Sequence, residues 1–171
     1  MANESIPVAL ARESLHYFLQ HGTILPMPDI LAEVFDGRAG VFVSLKKQEQ
    51  LRGCIGTLVP TEQNIASEII HNSISAGTAD PRFDPVKLEE LPELDISVDI
   101  LDAPIAVNNL DQLDPQKYGV IVSKGERSGL LLPMLEGVDT VDQQLSIAME
   151  KAGISQDEVI ELYRFTVTRY K

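Results

Sequence analysis

The sequence has few of the residues that disulfides, nucleic-acid surfaces and membrane spans require. It holds one cysteine among its 171 residues, which excludes an intramolecular disulfide and fits a reducing compartment. Its 14 basic residues are outnumbered by 26 acidic ones, and phosphate binding needs a surplus of Lys and Arg. No apolar run approaches the roughly 18 residues of a membrane span. We therefore predict a protein that binds neither nucleic acid nor a membrane.

What the sequence does contain is the composition of an ordinary globular domain. Hydrophobic residues make up 44% and charged residues 23%, and this length suits one domain or two small subdomains. The first residues, Met1 to Ser5, lack the positive region and apolar stretch of a signal peptide. We expect an acidic, cytoplasmic protein.

Strand and helix patterns alternate along the chain. β-branched and aromatic residues on either side of polar turns predict two hairpins, and apolar residues at helical spacing predict helices. Residues 23–38 and 102–117, rich in Pro, Gly, Asp and Asn, are predicted as loops. The predicted elements are a helix over 5–20, strands 40–45 and 51–59, a helix over 61–77, strand 94–101, strands 118–123 and 129–133, a helix over 140–152, a short helix opened by Ser155–Glu158, and a closing edge strand over 163–170.

Hairpins joined by short turns, with helices between them, predict an α+β fold with mainly antiparallel sheets. A doubly wound nucleotide fold is excluded, because Gly53–Gly56 lacks the G-x-G-x-x-G spacing. The segment Gly40–Ser44 (GVFVS) resembles Gly119–Ser123 (GVIVS), and each leads through a hairpin into a helix. This similarity fits either an internal duplication or the convergence of short strands, and both remain open.

The single cysteine lies in the segment Leu51–Gly56 (LRGCIG). In a regular strand Arg52, Cys54 and Gly56 would share one face, which would place a guanidinium near a thiol. A nearby cation stabilises a thiolate, so Cys54 is a candidate nucleophile or redox thiol with Arg52 as its activator. The alternative for Cys54 is a buried small hydrophobe. Arg52 could instead clamp an anionic ligand or form a salt bridge.

The two glycines beside Cys54 and the nearest histidine complete this candidate site. Gly53 and Gly56 would permit the close approach of a ligand, or they mark a bulge or kink in the strand. A cysteine hydrolase also needs a general base, and His71 on the following helix is the best placed histidine. A lone histidine on such a helix is more often a solvated or core residue.

The segment Asp80-Pro81-Arg82-Phe83 is a rigid loop, because Pro81 fixes its own φ and biases Asp80 away from helix. It is either a structural turn or a pair of ligand-binding side chains, Asp80 and Arg82, beside the Cys54 strand. No metal site and no cofactor are predicted. The helical pair His16 and His21 is five residues apart rather than the four of a helical zinc site.

Together these segments resemble the AMMECR family, and most closely its short prokaryotic form, AmmeMemoRadiSam system protein A. The similarity runs from about residue 5 to residue 171, and the LRGCIG hexapeptide is its most specific part. Two departures are Met134, where the family commonly has glutamine, and the lack of any tryptophan. The segments that carry the resemblance are Gly40–Lys47, Leu51–Leu58, Asp80–Phe83 and Gly129–Pro133.

The resemblance implies a larger subdomain built from the N- and C-terminal regions, a smaller one from the middle segment, and a cleft lined by Leu51–Gly56. It also implies two partners, a Memo-like protein and a radical S-adenosylmethionine (radical SAM) protein. A family fold does not specify a reaction. The first hypothesis is a small-molecule site, active or ligand-binding, that works through the Cys54 thiol. The alternative is a non-enzymatic protein-protein interaction module that uses the same cleft.

Overall fold

Two antiparallel sheets with helices form the protein, which confirms the predicted α+β class. The computed structural model describes residues 4–171, so the sequence-based prediction for Met1–Asn3 lies outside the described residues. The elements in chain order are α1 (Ile6–His21), α2 (Asp29–Val34), β1 (Val41–Lys47), β2 (Gln50–Thr57), α3 (Ile65–Thr78), a 3-10 turn (Leu88–Glu93), β3 (Leu94–Leu101), β4 (Ile105–Ala106), a second 3-10 turn (Leu110–Gln112), β5 (Gly119–Lys124), β6 (Arg127–Leu131), α4 (Val141–Ala152), β7 (Glu161–Phe165) and β8 (Val167–Tyr170).

The helix ends follow local capping chemistry. Gly22 and Gly153 both adopt a left-handed conformation after α1 and α4, where a residue without a Cβ is least strained. At the start of α4 the Thr140 side chain accepts a hydrogen bond from the backbone N–H of Gln143. The α3 helix begins later than predicted, because Asn64 caps it rather than Thr61.

Of the predicted elements at the C-terminus, the short helix is wrong and the closing strand is divided in two. Ser155–Glu158 forms a turn instead of a helix, since the Glu158 carboxylate accepts from the Ser155 N–H and then pairs with cations on the neighbouring hairpin. The closing strand is interrupted at Thr166, so β7 lies in one sheet and β8 at the edge of the other. Short-range alternation is the same on both sides of such a break, so it cannot reveal the change of sheet.

The chain divides into two compact units. Unit 1 is residues 4–100 with 168–171, and unit 2 is residues 101–167. The sheet of unit 1 has the order β2-β1-β3-β8, and that of unit 2 has the order β4-β7-β5-β6. No helix within the described residues has the length and apolar character to cross a bilayer. The cleft implied by the resemblance stays a prediction.

In unit 1 the helices cover one face of the sheet. Val41, Val43 and Leu45 of β1 are fully buried and pack with Leu15 of α1 and Ile69 of α3. The alternating side chains of β1 point to the opposite face, as the period of two requires. Functional side chains on that second face are therefore separated from the helices by the sheet.

Unit 2 repeats the chain path of unit 1. Each unit runs strand, strand, helix, strand, and its second strand lies beside the first with the third strand on the other side. The fourth strands are exchanged: β4 follows β3 along the chain but joins the sheet of unit 2, and β8 follows β7 but joins that of unit 1. This shared topology supports an internal duplication over the convergence of short strands.

Candidate functional site

A polar row crosses the second face of the unit 1 sheet. Cys54 of β2 lies opposite Ser44 of β1, and Ser44 lies opposite Ser97 of β3. The Cys54 Sγ is 3.2 Å from the Ser44 Oγ, within hydrogen-bonding reach for sulfur. Cys54 is only partly buried, so its thiol is not enclosed in the aliphatic core. The row places a lone thiol among hydroxyls.

The backbone of Cys54 is held by the Asp80–Arg82 pair. Its N–H donates to Asp80 Oδ2 at 2.9 Å, and its carbonyl oxygen accepts from Arg82 Nη2 at 3.3 Å. Arg82 in turn donates to the Asp80 carboxylate from Nε at 3.0 Å and from Nη2 at 2.8 Å. Because β2 is an edge strand, these outward backbone groups have no strand partner. One ion pair thus satisfies both backbone groups of the cysteine.

Asp80 remains ionised over the physiological range. Its hydrogen bond from Arg82 holds the pKa of the carboxyl well below its usual value, and the Cys54 and Arg82 N–H groups lower it further. Burial acts in the opposite direction, since only 2% of the side chain is exposed. The carboxylate is therefore a permanent acceptor for the Cys54 N–H.

Arg52 lies at an irregularity in the strand. Leu45 pairs with Gly53 and Lys46 pairs with Leu51, so Arg52 is an extra residue with no partner on β1. Its guanidinium donates to Glu90 Oε2 at 2.9 Å and to the Asp84 carbonyl oxygen at 2.9 Å. The alternation that would place Arg52 beside Cys54 is interrupted here, and activation of the thiol by Arg52 stays a prediction.

The Arg52–Glu90 pair makes the free energy of unfolding depend on pH in the acid range. Arg52 holds the pKa of Glu90 at about 2 against an ordinary 4.5, with the Lys87 N–H also lowering it. A depressed folded-state pKa contributes stability above pH 4.5 that is lost as the pH falls toward about 2. In urea unfolding we expect Glu90→Gln to be less stable than the parent at pH 6, with the difference shrinking between pH 4.5 and pH 2. A difference independent of pH would contradict this expectation.

Both glycines of the hexapeptide are closely approached by the protein itself. A Cβ on Gly53 would lie 2.1 Å from the Ala76 carbonyl oxygen of α3. One on Gly56 would lie 2.2 Å from Cγ of Phe42, its cross-strand partner. Packing therefore accounts for the missing side chains, and a ligand contact at either glycine stays a prediction. His71, on α3, has its Nδ1 2.8 Å from Glu62 Oε1.

The structure brings a second ion pair to the same face, which the sequence analysis missed. Arg169 of β8 donates to both carboxylate oxygens of Asp99 on β3, each at 2.7 Å. Asp99 lies opposite Phe42, which lies opposite Gly56, so it shares the face of Cys54. The hydrogen bonds to Asp99 raise the pKa of Arg169, burial acts in the opposite direction, and the charge of the Asp99 carboxylate raises it further. The signal for this pair in the sequence was Asp99 alone, as a polar residue in the alternating pattern of Leu94–Leu101.

Unit 2 is an internal reference for what the fold alone requires. A Cβ on Gly129 would lie 2.1 Å from the Ala148 carbonyl oxygen of α4. Gly53 is approached in the same way, by the Ala76 carbonyl oxygen of α3. Glu158, just before β7, accepts from Arg127 at 2.7 Å, and Glu90, just before β3, accepts from Arg52 at 2.9 Å, although the two arginines are at different positions relative to the matched glycines. Gly53 therefore has a positional counterpart, and the Arg52–Glu90 pair has an analogous ion pair, in a unit that contains no cysteine.

The polar row has no such counterpart. When Gly129 is matched to Gly53, the positions of Cys54, Ser44 and Ser97 are occupied by Leu130, Ile121 and Tyr163, which pair across the strands in the same order. The Leu130 carbonyl oxygen accepts from Lys151 Nζ at 3.0 Å, much as the Cys54 carbonyl accepts from Arg82. In the described residues, a carboxylate on the cysteine N–H, the thiol–hydroxyl row and the buried Asp–Arg pair are found in unit 1 alone.

The comparison with known families agrees with the segments that carry this site. A family model described as AMMECR1 matches residues 8–170. The chain belongs to the AMMECR1 family. This confirms the resemblance inferred from the LRGCIG hexapeptide and the segments around it. AMMECR1-family relatives include a Thermotoga maritima protein that is 50% identical over 174 residues, covering 100% of both chains.

Two further comparisons bear on fold and chain length. A crystal structure of an uncharacterized protein from Pyrococcus horikoshii has a TM-score of 0.87 and 32% identity, covering 95% of this chain and 88% of that one. A Clostridium acetobutylicum relative is 54% identical over 166 residues. The match covers 96% of this chain but 35% of the longer relative, so the domain also exists within a larger polypeptide.

Proposed function

We propose that unit 1 carries a small-molecule site, active or ligand-binding, whose reactive group is the Cys54 thiol. The observation that supports it best is the Asp80–Arg82 clamp, which holds both backbone groups of Cys54 while the partly buried Sγ has the Ser44 hydroxyl as its neighbour. A fixed backbone with an accessible side chain is what a positioned nucleophile requires. Asp80 and Arg82 position the thiol in this proposal.

The chemistry we propose is nucleophilic. The Sγ–H proton passes to water and the sulfur electron pair forms a bond to an electrophilic carbon of the ligand. The leaving group of that carbon departs with its bonding pair. No second protein group is required for this step, which suits a thiol whose polar neighbour is a hydroxyl.

Alkylation by iodoacetamide tests the proposal, because the chain has one cysteine and intact-mass measurements report Cys54 alone. We expect the native protein to react at least as fast as the same protein unfolded in urea at the same pH. Cys54 is partly buried rather than enclosed in the core, and its backbone is held in place, so we expect folding to leave the thiol reactive. Protection of the native protein by more than about tenfold would count against a reactive Cys54.

Cytoplasmic partners form the second part of the proposal. The resemblance suggests a Memo-like protein and a radical SAM protein. We expect the purified protein to bind one of them at micromolar concentration in a titration calorimeter. Absence of heat with both would remove this part without affecting the thiol.

The interaction module remains the alternative function. It draws support from the edge position of β2, since a strand edge is a common docking element, although the Asp80–Arg82 pair occupies this edge at Cys54. In that case Cys54→Ser should leave partner binding intact, whereas a reactive thiol predicts that the ligand chemistry is lost. The two functions differ in whether sulfur itself is needed.

A further inference from the structure

The two Asp–Arg pairs near Cys54 have the same orientation. Asp80 and Asp99 are almost fully buried, with side chains 2% and 3% exposed, while Arg82 and Arg169 are 55% and 28% exposed. Each pair therefore directs its negative end into the protein and its positive end toward solvent. The Arg52–Glu90 pair differs, because its two side chains are similarly exposed, Arg52 at 18% and Glu90 at 22%.

Each of these two guanidiniums also has an unused donor. Arg82 bonds through Nε and Nη2 to Asp80 and Cys54, and Arg169 bonds through Nε and Nη2 to Asp99. Among the described residues, the Nη1 of neither arginine makes a hydrogen bond. Arg52 differs, because its Nε, Nη1 and Nη2 all have protein partners.

Arg82 and Arg169 are both held in the part of unit 1 that contains Cys54. Arg169 is held by Asp99, which lies on β3, two strands from Cys54 on the same face of the sheet. The Arg82 guanidinium is in direct contact with the Cys54 carbonyl oxygen. A ligand at the thiol therefore lies in a field with two outward-facing cations and free N–H donors.

We infer that Arg82 and Arg169 recognise a carboxylate, so that the ligand of the Cys54 site is a small carboxylate-bearing electrophile. This deepens the proposed function and rests on it. Free guanidinium N–H groups beside a buried counter-charge bind a planar oxyanion through charge-assisted hydrogen bonds. Arg82 and Arg169 are then ligand-binding residues, and Asp80 and Asp99 position them.

The test compares two alkylating agents that differ in charge. Iodoacetate carries a carboxylate and iodoacetamide is neutral, yet both react in the same way: the S–C bond forms, iodide leaves with its bonding pair, and the thiol proton passes to water. We expect the iodoacetate-to-iodoacetamide rate ratio to be about tenfold higher for native protein than for protein unfolded in urea, the size of one charge-assisted hydrogen bond.

Variants assign the effect to the arginines. The double variants Asp80→Asn/Arg82→Gln and Asp99→Asn/Arg169→Gln should each lower the ratio several-fold, and neither leaves an unpaired buried charge. Arg38→Gln is the matched control, because Arg38 is in unit 1 and, within residues 4–171, its side chain bonds only to the Glu62 and Pro60 carbonyls. It removes the same charge and should leave the ratio unchanged.

The outcomes separate this inference from the proposed function. Equal ratios for native and unfolded protein, with rapid iodoacetamide reaction, would overturn the carboxylate site and leave the reactive thiol standing. A native thiol protected from both reagents would overturn the proposed function itself. Methyl phosphonate added as a competitor should slow iodoacetate less than acetate does, and the reverse order would assign the site to phosphate-type oxyanions and overturn the carboxylate.

Discussion

Arg169→Leu should lower the free energy of unfolding by about 3–5 kcal/mol, because it leaves the Asp99 carboxylate buried without its cation. The side chain of Asp99 is 3% exposed and both its oxygens accept from Arg169 at 2.7 Å. Water cannot readily replace these two donors in the folded state. Urea unfolding at pH 7, followed by far-UV circular dichroism, measures the loss.

The double variant Asp99→Asn/Arg169→Leu is the control for this effect. It removes the charge that Arg169→Leu leaves unpaired, so it should recover a large part of the lost stability. If the single and double variants were equally unstable, packing by the arginine stem would be the cause instead of the buried charge. A single variant as stable as the parent would mean that Asp99 reaches solvent.

Gly53→Ala should destabilise the protein by about 3 kcal/mol, at the upper end of overpacking effects. The added Cβ would lie 2.1 Å from the Ala76 carbonyl oxygen and 3.1 Å from its carbon, both of them backbone atoms of α3. A helix backbone cannot rotate away as a side chain can, so the α3 helix or the β2 strand must move. Urea unfolding again reports the effect.

Two other glycines test whether contact with the helix is the cause. Gly37→Ala should change stability by less than about 0.5 kcal/mol, because its nearest neighbour is a flexible Ile65 methyl at 3.7 Å. Gly129→Ala should behave like Gly53→Ala, since its Cβ meets the Ala148 carbonyl oxygen at 2.1 Å. A stable Gly53→Ala protein would mean that ligand access, not packing, explains the glycine.

The comparison of the two units changes how the hexapeptide is interpreted. In the sequence, Arg52 was the natural activator of Cys54, being two residues away on a regular strand. The hairpin of unit 2 has an analogous Arg127–Glu158 pair without any thiol, so a pair of this kind also occurs where there is no cysteine to activate. The cations that we propose for ligand binding come from the Asp80 loop and from β8.

Local patterns in the sequence determined most of the elements. The alternation in Leu94–Leu101 predicted β3 with its observed bounds, and Gly153 marked the end of α4. These features depend on residues within one turn or one strand, where side-chain period and capping act directly. The family followed from the LRGCIG hexapeptide for the same reason, since a short contiguous motif is readable without a fold.

Pairing between distant residues was decided by the tertiary structure alone. The strand irregularity at Arg52 exists because of how β2 pairs with β1, and Asp99 meets Arg169, 70 residues later, because β8 changes sheet after Thr166. Strand order and register depend on which faces become buried when the whole chain packs. The sequence therefore determined where the thiol lies in the chain, and the fold decided which charges surround it.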